Sequence, residues 1–220
     1  MYEQVKSSKQ QKVFEHTWEY FCQKYGWYND PYSKNGIRYN LLLPYVHEKK
    51  QNKVIGTIEF IPYNPKNPNS TVEGRCNFIQ YEEIRSNQHR IWEIDKLCIH
   101  QEYQRKGHFQ SFMAIFYDHA KKNKPKYYLA LIEKKFFRML RISFGIGIIQ
   151  KGKALEGPTT ALIPIVFDVE NIMQNEEKVR ELLGGTYNSE GPALLRKMTA
   201  SQFLKHLLNR CRTWPDKLKN

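Results

Sequence analysis

Hydrophobic and polar positions follow two different periods along this chain, and the switches between them mark out an ordered series of elements. In residues 8–25, Phe14, Trp18, Phe21 and Tyr25 recur at offsets of four, three and four, one stripe of a helix, and Gly26 stands where that helix would end. "IRYNLLLPYV" (37–46) and "NKVIGTIEFIPY" (52–63) are rich in β-branched and aromatic residues and predict two strands, joined through the polar "HEKKQN". Residues 62–74, "PYNPKNPNSTVEG", are loop by composition, and "RCNFIQYEEIRSNQHR" (75–90) fits neither period. "RIWEIDKLCI" (90–99) predicts a third strand that sets Trp92, Ile94 and Leu97 against Glu93, Asp95 and Lys96. A basic turn around Gly107 follows. The helix after it carries Phe109, Phe112, Met113, Phe116 and Ala120 on one stripe, with Pro125 beyond its end.

"KYYLALI" (126–132) is short and continuously apolar, as expected of a strand covered on both faces. Residues 133–142 predict a short basic helix, and "IGII" (146–149) and "TTALIPIVF" (159–167) two closing strands. Asp168 is suited to cap one helix running to Leu183, ended by Gly184 and Gly185. Thr199 with Gln202 makes a capping box before "FLKHLLNRC" (203–211). There is no internal repeat. The order is mixed α/β (α+β) around one central sheet, with residues 1–195 as a single domain and 196–220 as a basic C-terminal helix and tail.

Composition narrows the class. A hydrophobic content of 40% argues against disorder, no apolar run approaches the ~18 residues that cross a bilayer, and "MYEQVKSSKQQK" lacks the apolar centre of a signal peptide. Cys22, Cys76, Cys98 and Cys211 are scattered without CxxC or paired-His spacing, so the expectation is no metal and a reducing, cytoplasmic location. The net charge of +13 has three competing explanations: nucleic acid, an anionic membrane surface or a polyanionic small ligand. Part of it lies in the tail, where Arg196, Lys197, Lys205, Arg210, Arg212, Lys217 and Lys219 face only Asp216. No RNA- or DNA-reading motif accompanies it, so a nucleic-acid partner is not expected.

The turn Gln104-Arg105-Lys106-Gly107-His108 lies between a strand and a helix. A helix N-terminus offers unpaired N–H groups and the positive end of the dipole, which suits a phosphate. Gly107 allows a backbone conformation that other residues resist, and Arg105, Lys106 and His108 would add cationic side chains around a pyrophosphate. Many such turns are only turns.

With its neighbours, "QRKGHF" resembles the Q/R-x-x-G-x-G/A acyl-CoA loop of the GNAT superfamily of N-acyltransferases, with Phe109 in place of the final small residue. "WEIDKLCIHQEYQ" looks like the WE-I/L-S-R-L/F strand of the acyl-homoserine-lactone synthases and of the synthases that acylate amino acids. "KVIGTIEFIPYNP" is similar to their GTxRLIPY segment, "KKFFRMLRI" to RFFRRLGI, "ALEGPTTALIPIVFDV" to their closing strand and "FCQKYGW" to an N-terminal F-x(4)-GW. The similarity runs in order through residues 14–170.

The resemblance implies a twisted mixed sheet, flanked by helices, whose middle strands splay to admit a pantetheine arm. It implies an acetyl-CoA, longer acyl-CoA or acyl-carrier-protein donor held by Leu97, Cys98, Ile99, Gln104, Arg105, Lys106, Gly107, His108, Phe109 and Gln110. Glu93 is implied as the base, an amide near Cys98 or Ile99 as oxyanion donor, and Trp27, Trp92, Phe136 and Phe137 as substrate contacts. The acceptor would be the amine of a small molecule such as an amino acid. Phe112, Phe116, Phe136 and Phe137 are candidates to line an acyl pocket, or plain core.

Several positions depart from that pattern. Lys96 replaces the arginine after Glu93, Glu59 that of GTxRL, and "NLLLPYV" the acidic patch of the lactone synthases, which argues against lactone synthesis. Where many members carry an acid tyrosine this chain has Phe137 and Arg141, leaving Tyr127, Tyr128, Ser143 or solvent. Cys98 and His100 share a face by alternation, so an acyl-enzyme stands beside the simpler reading of Cys98 as a buried hydrophobe. A non-catalytic acyl-CoA sensor of the same fold is the alternative function.

Overall fold

The computed structural model describes residues 1–43, 53–157 and 160–184. The "HEKKQN" linker, Gly185, the Thr199–Gln202 capping box and the basic tail lie outside the described residues.

Helix α1 (Ser8–Tyr25) starts with a capping box that the stripe alone did not announce. The Gln10 N–H donates to Ser7 Oγ at 3.2 Å and the Ser7 N–H to Gln10 Oε1 at 3.0 Å. The helix ends at Gly26 in the left-handed region, and it buries Phe14, Trp18, Phe21 and Cys22. Each large side chain of this kind contributes about 1.5–3 kcal/mol on leaving water. Ahead of α1 lies β1 (Tyr2–Gln4), which pairs antiparallel with residues 39–41. No periodicity marks so short an edge strand.

The sheet has seven strands. Besides β1 they are β2 (Ile37–Leu43), β3 (Lys53–Pro62), β4 (Ile91–Ile99), β5 (Tyr127–Glu133), β6 (Ile148–Gln150) and β7 (Leu162–Asp168), in the order β1-β2-β3-β4-β5-β7-β6. All neighbours are antiparallel except β4 and β5, which run parallel. The connection between that pair is α3 (Phe109–Asn123), a crossover of the kind parallel strands require.

One face of the sheet receives α3 and α4 (Lys134–Phe144) over a core that includes Tyr39, Leu41, Ile58, Phe60, Ile94, Phe112, Ile115, Leu140 and Phe167. The other face is shared. α1 covers β2 to β4, while residues 64–90 lay Val72, Phe78 and Ile84 over Ile91, Tyr127, Leu129 and Val166. The unassigned stretch 75–90 proves to be a 3₁₀ turn Phe78–Gln80, the single-turn helix α2 (Glu82–Arg85) and a second 3₁₀ turn Gln88–Arg90.

The helix expected from Asp168 to Leu183 is two. α5 (Val169–Gln174) is capped by Asp168, and α6 (Glu176–Leu182) by Asn175, whose side chain accepts from the Lys178 N–H at 2.9 Å. Asn175 leaves helical geometry at φ −91°, ψ 85°, because its short amide competes for the backbone.

Candidate functional site

Strands β4 and β5 lie side by side only where residues 91–93 meet 127–129. Past that point β5 continues to Glu133 paired with β7, and β4 continues to Ile99 paired with β3. A gap opens between them, and residues 94–99 present a sheet edge to it. Peptide geometry tells which groups face the gap. Thr57 Oγ1 donates to the Lys96 carbonyl at 2.8 Å, so in a trans peptide the Leu97 N–H points the opposite way, into the gap. The His100 N–H donates to the Ile55 carbonyl at 2.7 Å, which turns the Ile99 carbonyl to the gap, where Gln104 Nε2 meets it at 3.1 Å. Strand alternation turns the Cys98 N–H toward β3. By the same alternation the N–H groups of Leu97 and Ile99, on either side of Cys98, face the gap.

A bulge organises the side chains of β4. The register runs Thr57↔Cys98 and then Glu59↔Asp95, and Lys96 adopts φ +49°. The extra residue puts Glu93, Asp95, Lys96 and Cys98 toward α1, and leaves Trp92, Ile94, Leu97 and Ile99 on the α3 side. Strict alternation would separate Glu93 from Cys98.

On the α1 side this produces a buried polar cluster. Glu59, fully buried, lies between Arg38 at 2.8 Å and Lys96 at 3.3 Å, and Lys96 also meets Asp95 at 2.7 Å. Burial raises the Glu59 carboxyl above its usual range, opposed by Lys96 and Arg38. Burial acts to lower Lys96, but Asp95 and Glu59 outweigh it and hold the ammonium charged. Gly36 makes the space: a Cβ there would sit 2.1 Å from Glu59 Oε1. The two departures at 59 and 96 are thus coupled, an acid on β3 and a base in the bulge of β4 joined by a buried ion pair.

Glu93 stands apart from that pairing. It is 1% exposed, its Oε1 accepts from Ser70 Oγ at 2.9 Å, and its Oε2 is buried without a partner. Burial, partly opposed by the Ser70 hydrogen bond and reinforced by Asp95, pushes its pKa up to about 8. Sequence reasoning missed Ser70. It lies in the loop at 62–74, and no local pattern brings that loop over β4.

The basic turn has the backbone its glycine foretold. Gly107 takes φ +83° and Arg105 φ +61°, and α3 begins at Phe109 without a side-chain cap on its first N–H groups. Arg105 and Lys106 are exposed. At His108, burial, then the nearby amino terminus and Lys106, lower the pKa below the usual imidazole range, which disfavours a third cation in the turn.

The four substrate candidates are not brought together. Trp27 packs on α1 with Trp18 at 5.6 Å, while Trp92 lies on the α3 side against His119 at 4.6 Å. Phe137 and Phe112 are buried in the main core, with Phe136 at its margin. A narrow apolar cavity of about 50 Å³ instead has Met113, Phe116, Phe144, Phe167 and Leu183 among its walls. Tyr128 is committed to His119, its hydroxyl 2.8 Å from Nδ1, and Tyr127 faces the 64–90 segment. Cys98 is buried, with Sγ 3.0 Å from Thr57 Oγ1, and burial pushes its thiol up to about 12; it is no thiolate nucleophile. Among the described residues no group of three or more His, Cys, Asp or Glu is placed to hold a metal ion, and no helix is long and apolar enough to cross a membrane.

No family model and no curated protein matches the chain. Solved structures do. FeeM, an N-acyl amino acid synthase from uncultured soil microbes, matches with TM-score 0.60 at 12% identity, over 79% of this chain and 93% of its own. BjaI, a CoA-dependent acyl-homoserine lactone synthase, matches with TM-score 0.59 at 11% identity, over 94% and 99%. MesI, also a CoA-dependent acyl-homoserine lactone synthase, matches with TM-score 0.50 at 15% identity, over 87% and 100%. At these identities the likeness is one of fold, and the fold is that of the GNAT acyltransferases.

Proposed function

We propose that this GNAT-fold chain transfers an acyl group from an acyl-CoA or acyl-carrier-protein thioester to the amine of a small molecule. The observation that carries the reading is the opened edge of β4, with the Leu97 N–H directed into the gap, upstream of a basic turn and an uncapped helix N-terminus. The pantetheine arm adds to the edge of residues 97–99 as an extra strand would. Its diphosphate lies on the amides of residues 105–110, with Arg105 and Lys106 alongside. BjaI and MesI are CoA-dependent synthases, which supports this choice of donor.

The chemistry of this reading uses Glu93 and the free edge of β4. Glu93 takes a proton from the acceptor ammonium, and the freed lone pair attacks the thioester carbon. The Leu97 N–H stabilises the oxyanion, a contribution of about 2.7–4 kcal/mol for one such donor. The attacking nitrogen then gives its second proton to solvent, the C–S bond breaks, the thiolate takes a proton from Glu93 or solvent, and amide and free thiol leave. A carboxyl with pKa near 8 is well matched to proton transfer from an amine. Carrier-protein docking would use part of the basic surface.

One observation favours the non-catalytic alternative, an acyl-CoA sensor: α4 presents Phe137, buried in the core, where a hydroxyl acid would stand. Thiol release from acetyl-, octanoyl- and palmitoyl-CoA with a panel of amines, run beside calorimetry of CoA binding, separates the readings. Binding without thiol release for any amine, with acyl-carrier protein also inert, selects the sensor. A failure to bind CoA at all removes both.

A further inference from the structure

Charge on the α1 side of β4 runs against the rest of the molecule. The chain carries +13 overall, yet Asp30, Glu59, Glu93 and Asp95 cluster here against Arg38, Arg75 and Lys96. Each of these cations is held by a carboxylate of the chain itself. Arg38 meets Glu59 at 2.8 Å, Lys96 meets Asp95 at 2.7 Å and Glu59 at 3.3 Å, and Arg75 meets Asp30 at 3.8 Å. The remaining Arg38 donors go to Gln11 Oε1 and the Ser33 carbonyl, and its unpartnered Nε is buried where the guanidinium lies against the Tyr32 and Phe14 rings at 5.6 and 6.0 Å. The other three carboxyls balance the three cations, so any negative surplus is that of Glu93 once it gives up its proton. Glu93, buried, keeps an oxygen without a partner, and no cation is paired with it. The Tyr32 hydroxyl and the Trp18 indole N–H are also buried and unpartnered on this side.

An amino acid acceptor brings two charges to such a site. Its ammonium suits Asp95, and Glu93 in its ionised form. Its carboxylate would enter beside Asp30, Glu59 and Asp95, with every nearby cation already engaged, and an anion left unpaired in a partly buried site is costly.

Resting on the acyltransfer reading, we infer that the acceptor is a primary amine lacking a carboxylate, of the class produced by decarboxylating an amino acid. The side chain of such an amine meets Trp18, Trp27 and Tyr32, while its ammonium enters between Asp95 and Glu93. The acid at position 59 is the specificity element. It holds the two cations, Arg38 and Lys96, that would otherwise receive a substrate carboxylate.

Matched pairs that differ by one carboxylate test this directly: tryptamine and tryptophan, phenethylamine and phenylalanine, isoamylamine and leucine. With the full chain and octanoyl- or acetyl-CoA, the amine of each active pair is expected to exceed its amino acid at least tenfold in kcat/KM. Calorimetry with CoA present should rank each pair the same way without turnover. Glu59→Gln, which leaves Arg38 and Lys96 less neutralised, is expected to narrow the ratio about tenfold. Should that variant not fold, the wild-type pairs decide alone. Equal or preferred amino acids, in rate or in binding, overturn the inference, as does failure of both members of every pair to bind. Amines that bind selectively but release no thiol sustain it and overturn catalysis instead.

Discussion

Glu93→Gln separates the base from a structural carboxyl through stability as well as rate. A carboxyl whose pKa rises from 4.5 unfolded to about 8 folded keeps its proton in the native state while the unfolded chain releases it. Stability is therefore undiminished below pH 4.5 and falls as pH rises, by about 1.4 kcal/mol per unit, until the folded group ionises near pH 8. Between pH 5 and pH 8 the wild type is expected to lose on the order of 4 kcal/mol through this one group. Glutamine does not titrate. It preserves the acceptor for Ser70 Oγ and places an amide where Oε2 has no partner, a fixed cost of about 1–3 kcal/mol that does not vary with pH. Urea denaturation of both proteins across pH 5 to 8 should thus show a difference that shrinks or reverses in favour of the variant as pH rises. In the same variant kcat/KM should fall about 10²–10⁴-fold, the range for loss of a general base. A stability difference independent of pH would refute the burial of a proton-holding carboxyl, whatever the activity shows.

In the wild type, kcat/KM should rise with pH and level off above about 8, the range to which burial moves Glu93; a flat profile from pH 6 to 9 argues against it as base. Gly107→Ala meets no atom within 4 Å, so its effect is conformational. At φ +83° the added Cβ costs about 1–2 kcal/mol, expected as a roughly tenfold weaker CoA affinity by calorimetry with an unchanged circular dichroism spectrum. Cys98→Ala should keep acyl transfer within about threefold, since a thiol at about 12 is not a nucleophile; a rate lost entirely, with a trapped acyl-thioester in the wild type by mass spectrometry, would reinstate the acyl-enzyme.

Local patterns carried much of this molecule. The Phe14–Trp18–Phe21 stripe and Gly26 placed α1, and the apolar run "KYYLALI" placed β5, because helix and strand periods depend on residues near in sequence. Gly107 announced the left-handed turn ahead of α3 for the same reason. In β4 the order apolar, charged, apolar, charged, charged, apolar from Trp92 to Leu97 contained the bulge: its doubled charge breaks the period of two at the extra residue.

What remained depended on distant segments meeting. β1 is three residues that mean nothing until residues 39–41 lie beside them. The side chain of Ser70 reaches Glu93 only because residues 64–90 fold over β4, and nothing in the spacing of either segment states that contact. The substitutions at 59 and 96 looked like two separate losses in sequence. Packing made them one ion pair, since the β3–β4 register sets Glu59 opposite Asp95 and the bulge turns the adjacent Lys96 onto the same buried carboxylate. Composition set the overall charge of the chain, but the local balance on the α1 side of β4 was decided by which carboxyls and cations the tertiary fold drew together out of water.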